Sequence, residues 1–159
     1  EQMDWVIDGL DASTAVFKLV LTSVPFTDFE GLIGEVAVAD RWQGFPEQRT
    51  TLVEAAARHE NVYFLSGDFH VGFISRVEPL GDVGFTLYDI LMGPGGNSVN
   101  PIGDLLLETD QFLLGISARN TTRITADPLT ETLFVEFVGE DGITLESMTL
   151  PAPIPQQAE

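Results

Sequence analysis

The tetrapeptide Gly67-Asp68-Phe69-His70 carries the strongest chemical signal in the chain. In an extended segment residues i and i+2 face the same side. Asp68 and His70 are therefore expected to reach one small site together, while Phe69 turns back into the core. A carboxylate oxygen and an imidazole nitrogen suit iron, manganese, zinc or calcium in a mixed coordination shell. Gly67 lets the backbone leave a strand sharply. Spacing alone leaves a second reading open, a turn aspartate followed by an unrelated histidine. The other histidine, His59, is expected at a helix C-terminus, where a cation suits the negative end of the dipole, and is not read as a ligand.

Other chemistries find no support in the residues. The chain has no Cys, which excludes a disulfide scaffold, a thiolate zinc site and a cysteine nucleophile. No Gly-x-Ser-x-Gly elbow is present. The segment Gly93-Pro94-Gly95-Gly96-Asn97 is glycine-rich but lacks the Lys-Ser/Thr of a phosphate loop, and it reads as a turn that holds a loop near the site. Asn120-Thr121-Thr122 fits a glycosylation acceptor, a triplet common by chance. Trp5 and Trp42 read as core or rim aromatics.

The tetrapeptide needs a strand before it, and the sequence supplies one. Asn61 to Leu65 is a short apolar run that breaks at Ser66-Gly67-Asp68. Ahead of it, Pro46 can open a helix at its first position, with Glu47 in the first turn. Leu52, Val53, Ala56 and Ala57 recur at helical spacing to about Arg58. Earlier still, Ala15 to Val24 is apolar at almost every position, rich in β-branched residues and stopped by Pro25. It reads as a strand buried on both faces. Strand, helix, strand in this order predicts a βαβ crossover, and in such sheets functional loops lie at the carboxyl ends of strands. Residues 26–45 read as loop. The remainder is β-rich. Strands are expected over Phe85–Met92 and Phe112–Ser117. Thr132–Val138 and Ile143–Leu150 alternate well and flank Gly139-Glu140-Asp141-Gly142 as a hairpin. The tail 151–159 is expected to be extended or disordered.

The chain has 159 residues, with 7 basic and 25 acidic side chains and a net charge of −18. This length fits one domain, and 44% apolar residues with eleven Phe can form a packed core. The acidic excess repels a phosphate backbone, and one Lys with scattered Arg makes no basic stripe, so a nucleic-acid surface is excluded. An anionic substrate would need a positive group between it and this carboxylate field, for which a bound metal is the obvious candidate. No apolar run is long enough for a membrane-spanning helix, and the acidic start Glu1-Gln2-Met3-Asp4-Trp5 is no signal peptide. A periplasmic or secreted location is expected.

An ordered series of segments then resembles the PhoD-like alkaline phosphatases, within the wider calcineurin-like metallophosphoesterases. The series runs Glu1-Gln2, Trp5, Leu10, Ser13, Phe17-Lys18 and Val24-Pro25. It continues through Asp40-Arg41-Trp42-Gln43-Gly44-Phe45-Pro46 with Gln48-Arg49, Leu65 to His70, Met92-Gly93-Pro94 and the terminal hairpin. The resemblance implies an α/β fold, part of a layered α-β-β-α sandwich, with residues 1–150 as the β-rich C-terminal half of the catalytic domain. It implies hydrolysis of phosphate esters at a metal cluster of iron and calcium or other divalent ions. Asp68 and His70 match ligand positions of the family's Gly-Asp-x-His motif. Arg49 and Asp40 match a recurrent segment to which no catalytic task is assigned. Most of the family's ligands lie upstream of the Glu-Gln-x-x-Trp segment with which this chain opens. An N-terminal fragment of the same enzyme is therefore the expected partner, beside a small phosphate-ester substrate. The alternative is a non-catalytic acidic Ca-binding or interaction domain on the same scaffold.

Overall fold

The structure is a computed structural model, and residues 1–29, 38–101 and 110–151 are described. Helix α1 (Gln2–Ala12) is followed by β1 (Lys18–Leu21), and single 3-10 turns at Val38–Asp40 and Trp42–Gly44 lead into α2 (Pro46–Ala56). Seven strands complete the order: β2 (Val62–Ser66), β3 (Gly72–Arg76), β4 (Tyr88–Leu91), β5 (Phe112–Ile116), β6 (Asn120–Asp127), β7 (Thr132–Gly139) and β8 (Thr144–Leu150).

Two sheets form. The first is five-stranded in the order β1-β2-β4-β3-β5, and the second is the antiparallel meander β6-β7-β8. Strands β1, β2 and β4 run parallel, while β3 pairs antiparallel with both β4 and β5. The expected crossover is present, with α2 between the parallel strands β1 and β2. Its helix starts at Pro46 with Glu47 in the first turn, as the missing N–H and the dipole require.

The layers follow from which faces are apolar. Leu10 of α1 and Leu52, Val53 and Ala56 of α2 pack on Phe26, Val62 and Phe64. On the opposite face Tyr63, Ile74, Tyr88 and Ile90 meet Leu133, Val135, Phe137 and Leu150 of the second sheet. The result is a mixed α/β sandwich, helices on one sheet and the second sheet on the other. Gly72 lies under this junction: a Cβ there would stand 2.8 Å from Ile116 and 3.1 Å from Phe137.

Several expectations are corrected. Strand β1 is shorter than 15–24 and is not buried on both faces. It has alternating exposure, with Leu19 46% and Leu21 74% exposed, because it is the sheet edge among the described residues. The apolar run therefore marks one covered face and one exposed face. The polar N-terminus forms α1, and Trp5 on it is 74% exposed rather than core or rim. Trp42 does pack at the core margin, edge-on to Phe26 with ring centroids 5.0 Å apart. Strand β4 is confined to Tyr88–Leu91, since Phe85 and Leu87 close turns onto Asp82 and Gly84. The loop 26–45 contributes core through Phe26 and Phe29 and forms the two 3-10 turns; its residues 30–37 lie outside the described residues. Asn120 is buried in β6, so the Asn-Thr-Thr triplet offers no accessible acceptor. The expected hairpin is β7–β8. Of the expected tail, 152–159 lie outside the described residues.

Candidate metal and phosphate site

The tetrapeptide sits where the sequence places it, at the carboxyl end of the parallel strand β2. Its local shape is different. Asp68 has φ 70° and His70 φ 57°, both in the left-handed region, so the segment is not extended and the i, i+2 argument for a shared side does not apply. Phe69 N–H donates to Gly67 O at 2.9 Å, closing a three-residue turn about Asp68. Asp and His are among the side chains that tolerate this backbone best, yet it remains disfavoured over the right-handed one. Strain of this sort persists where surrounding contacts enforce it.

Those contacts can be named. Phe69 does turn inward as expected, packing on Phe29 with ring centroids 5.4 Å apart, beside the cluster Val71, Phe73, Leu91 and Phe112. Asn100 N–H donates to His70 O at 2.8 Å, and Asn100 Nδ2 to Phe69 O at 3.2 Å. Asp68 is exposed and His70 half-buried.

Beneath the turn lies a buried polar knot that sequence reasoning missed. Asp89 of β4 is enclosed, and its Oδ1 accepts from Ser66 Oγ at 2.6 Å. Its Oδ2 accepts from Phe26 N at 2.7 Å, Thr27 N at 3.0 Å and Thr27 Oγ1 at 3.1 Å. Burial pushes this carboxyl above the ordinary aspartate value, and the Ser66, Thr27 and Phe26 donors pull it back. One side chain thus ties together the residue before Gly67 and the loop after β1. The only sequence signal was an acid inside an apolar strand, FTLYDILM, where an unpaired charge would not be tolerated.

Topology brings the second half of the site. Because β4 lies between β2 and β3, the 67–71 connection must cross the end of β4. The chain leaving β4 therefore passes beside it. Asn97 Nδ2 lies 3.2 Å from His70 Nε2, and Ser98 Oγ lies 3.4 Å from Nδ1. The glycine-rich segment does hold a loop at the site. Gly93 is needed there, since a Cβ would stand 2.2 Å from the Asn120 amide.

The remaining singled-out residues serve the frame. Arg49 is buried, pairs with Glu78, and donates from Nη2 to Phe26 O at 3.0 Å and Val77 O at 3.3 Å. His59 is bound to Asp11 of α1 at 2.8 Å, with Arg58 on the same carboxylate. Asp40 closes a 3-10 turn.

An exposed carboxylate and an imidazole at a strand end fit two positions of a mixed oxygen and nitrogen cation shell. Among the described residues no group of three His, Asp or Glu side chains is close enough to hold a metal ion. The two donor types suit a cation, and no third such side chain joins them among the described residues.

Residues 1–93 match the family model of the PhoD-like phosphatases, and the chain belongs to that family. It is also similar to a solved structure described as the structure of PhoD, with a TM-score of 0.67 at 18% identity. That match covers 93% of this chain and 31% of the other, so the chain spans about a third of that protein's length. No curated protein matches. No helix among the described residues is long and apolar enough to cross a membrane.

Proposed function

We propose that this chain is one wall of a metal-dependent phosphate-ester hydrolase, with Asp68 and His70 as two of the ligands. The observation that carries the reading is the strained Asp68–His70 turn at the carboxyl end of β2, held over the buried Asp89 knot. Family membership supports phosphatase chemistry, and the donor set supports iron, calcium, manganese or zinc. Such a cation, when bound, offsets the charge of the phosphoryl oxygens and acidifies a water. The chain's own contribution is geometric. Asp68 and His70 fix a cation in place, Ser66 and Asp89 set the exit of β2, and Asn97 and Ser98 orient the imidazole. The −18 charge makes this cation necessary for any anionic substrate, and it suits a periplasmic or secreted enzyme.

The missing ligands belong to the proposed partner, the rest of the enzyme's polypeptide. Lys18 N–H donates to Asn61 O, just before β2, and Thr22 N–H to Leu65 O of β2, at 2.9 Å each. By the alternation of a parallel strand, the N–H groups of Leu19 and Leu21 face the open edge. That edge, the exposed side chains of Leu19 and Leu21, and Trp5 on α1 form a site for strand addition. Leu21→Lys is expected to weaken that association, and unchanged association would reject this surface.

The test of the function is metal content and turnover of p-nitrophenyl phosphate and its bis ester by the intact purified protein. His70→Ala is expected to lose both metal and rate. Full metal occupancy in that variant rejects the ligand assignment. Metal binding without turnover of either ester, with every chain present, would favour the non-catalytic Ca-binding domain.

A further inference from the structure

One asparagine is set to react with the backbone nitrogen that follows it. Ser98 N–H donates to Asn97 Oδ1 at 2.7 Å. A carbonyl bond is about 1.23 Å long, so Ser98 N lies within about 3.9 Å of Asn97 Cγ, near the distance from which bonds form. The same contact polarises the carbonyl and makes Cγ more electrophilic. At the other end of the amide, Nδ2 lies 3.2 Å from His70 Nε2, so the group is held at both ends. Asn97 and Ser98 are exposed and lie outside helix and strand. The chain's other three asparagines are not so placed. Asn100 precedes Pro101, which has no N–H. Asn120 is buried and the next residue, Thr121, lies within β6. Asn61 precedes Val62, which is β-branched and buried at the start of β2.

We propose that Asn97-Ser98 is a self-modification site, at which Asn97 is converted through a succinimide to aspartate and isoaspartate. Ser98 N gives its proton to hydroxide and bonds to Asn97 Cγ. The Cγ–Nδ2 bond breaks, and the nitrogen leaves as ammonia after taking a proton from water. A second water opens the ring. Attack at Cγ restores the main chain with aspartate at position 97, and attack at the Asn97 backbone carbonyl carbon leaves isoaspartate. The net change is one water in and one ammonia out, with no oxidation or reduction. Either product adds a negative charge beside His70, in a chain already at −18. Isoaspartate also lengthens the main chain by one atom ahead of Asn100, whose bonds to His70 O and Phe69 O hold the turn. The reaction needs no cation, so it goes beyond the reading of Asp68 and His70 as ligands and stands apart from it.

The experiment incubates the intact purified protein in mildly alkaline buffer, folded and in urea, and then digests it with pepsin in acid. Mass spectrometry reads the conversion of amide to acid at each asparagine. Methyl transfer by isoaspartyl methyltransferase marks isoaspartate in the peptide that holds residue 97. In the folded chain Asn97 is expected to convert at least about tenfold faster than Asn61 or Asn120, and no more slowly than it does in urea. Ser98→Pro, which has no N–H, is expected to abolish the conversion. Ser98→Gly keeps the N–H and clears the approach to Cγ, so it is expected to speed the conversion severalfold. This second variant keeps the test open should the proline variant fail to fold. Slower conversion of Asn97 in the folded chain than in urea overturns the proposal, because the fold then protects the amide. Undiminished conversion in a folded Ser98→Pro, or an unchanged rate in Ser98→Gly, overturns the attack by Ser98 N.

Discussion

Ser66 Oγ donates to Asp89 Oδ1 over 2.6 Å, tying the last residue of β2 to the middle of β4 just before the Gly67-Asp68 turn. The other oxygen of Asp89 holds Phe26 and Thr27, and Thr27 Oγ1 lies 2.6 Å from Ser75 Oγ of β3. One buried carboxylate therefore joins β2, β4 and the loop after β1 directly, and β3 through Thr27. Rigid support of this kind is what a metal ligand on a turn requires.

Asp89→Ala is expected to be severe, because it leaves two hydroxyls and two backbone N–H groups buried without their acceptor. Each such group costs about 1–3 kcal/mol, so a loss of at least about 4 kcal/mol is expected. Asp89→Asn keeps one acceptor oxygen and is expected to lose less. Urea unfolding of the three proteins gives the order; equal stability for Asp89→Ala and the native chain would show that the knot carries no energy.

Asp68→Gly separates stability from function. Glycine adopts φ 70° without the Cβ penalty, so this variant is expected to gain about 1 kcal/mol of stability while losing the cation ligand. Asp68→Ala keeps the penalty and is expected to show no such gain. Urea midpoints and metal content, measured on both, check this. A less stable glycine variant would mean that the Asp68 side chain, not the site, justifies the turn.

The second sheet supplies a pH signature. Arg123 grips Glu136 with two bonds, of 2.6 and 2.7 Å, and Thr144 adds a third at 3.0 Å. The Arg123 contact comes first in holding the Glu136 carboxyl below its ordinary value of 4.5. A carboxyl lowered on folding contributes stability above the unfolded value, and that contribution is lost as pH falls through the folded one. The native chain is therefore expected to lose stability against Glu136→Gln as pH drops below about 4.5. A difference constant from pH 6 to pH 3 would contradict this.

Much of this was legible from residues. Pro46, Glu47 and the helical spacing of Leu52, Val53 and Ala56 located α2, and alternation about Gly139–Gly142 located the β7–β8 hairpin. The placement of the tetrapeptide at a strand end followed from Val62–Leu65 breaking at Ser66. Three things were not legible. The exposed edge of β1 reads as buried because an apolar run does not reveal whether a strand lies inside a sheet or at its edge. The left-handed Asp68 and His70 were hidden because tertiary contacts from Phe29 and Asn100 enforce them, not local propensity. Asn97 and Asp89 join the site only because β4 inserts between β2 and β3, an order with no local sequence signature.

The most direct test is anomalous diffraction from crystals of the purified protein, measured at the absorption edge of the metal it retains. The expected result is a peak roughly 2.0–2.6 Å from an Asp68 carboxylate oxygen and a His70 ring nitrogen. A retained metal whose shell excludes both side chains would contradict the assignment on which the phosphatase reading stands.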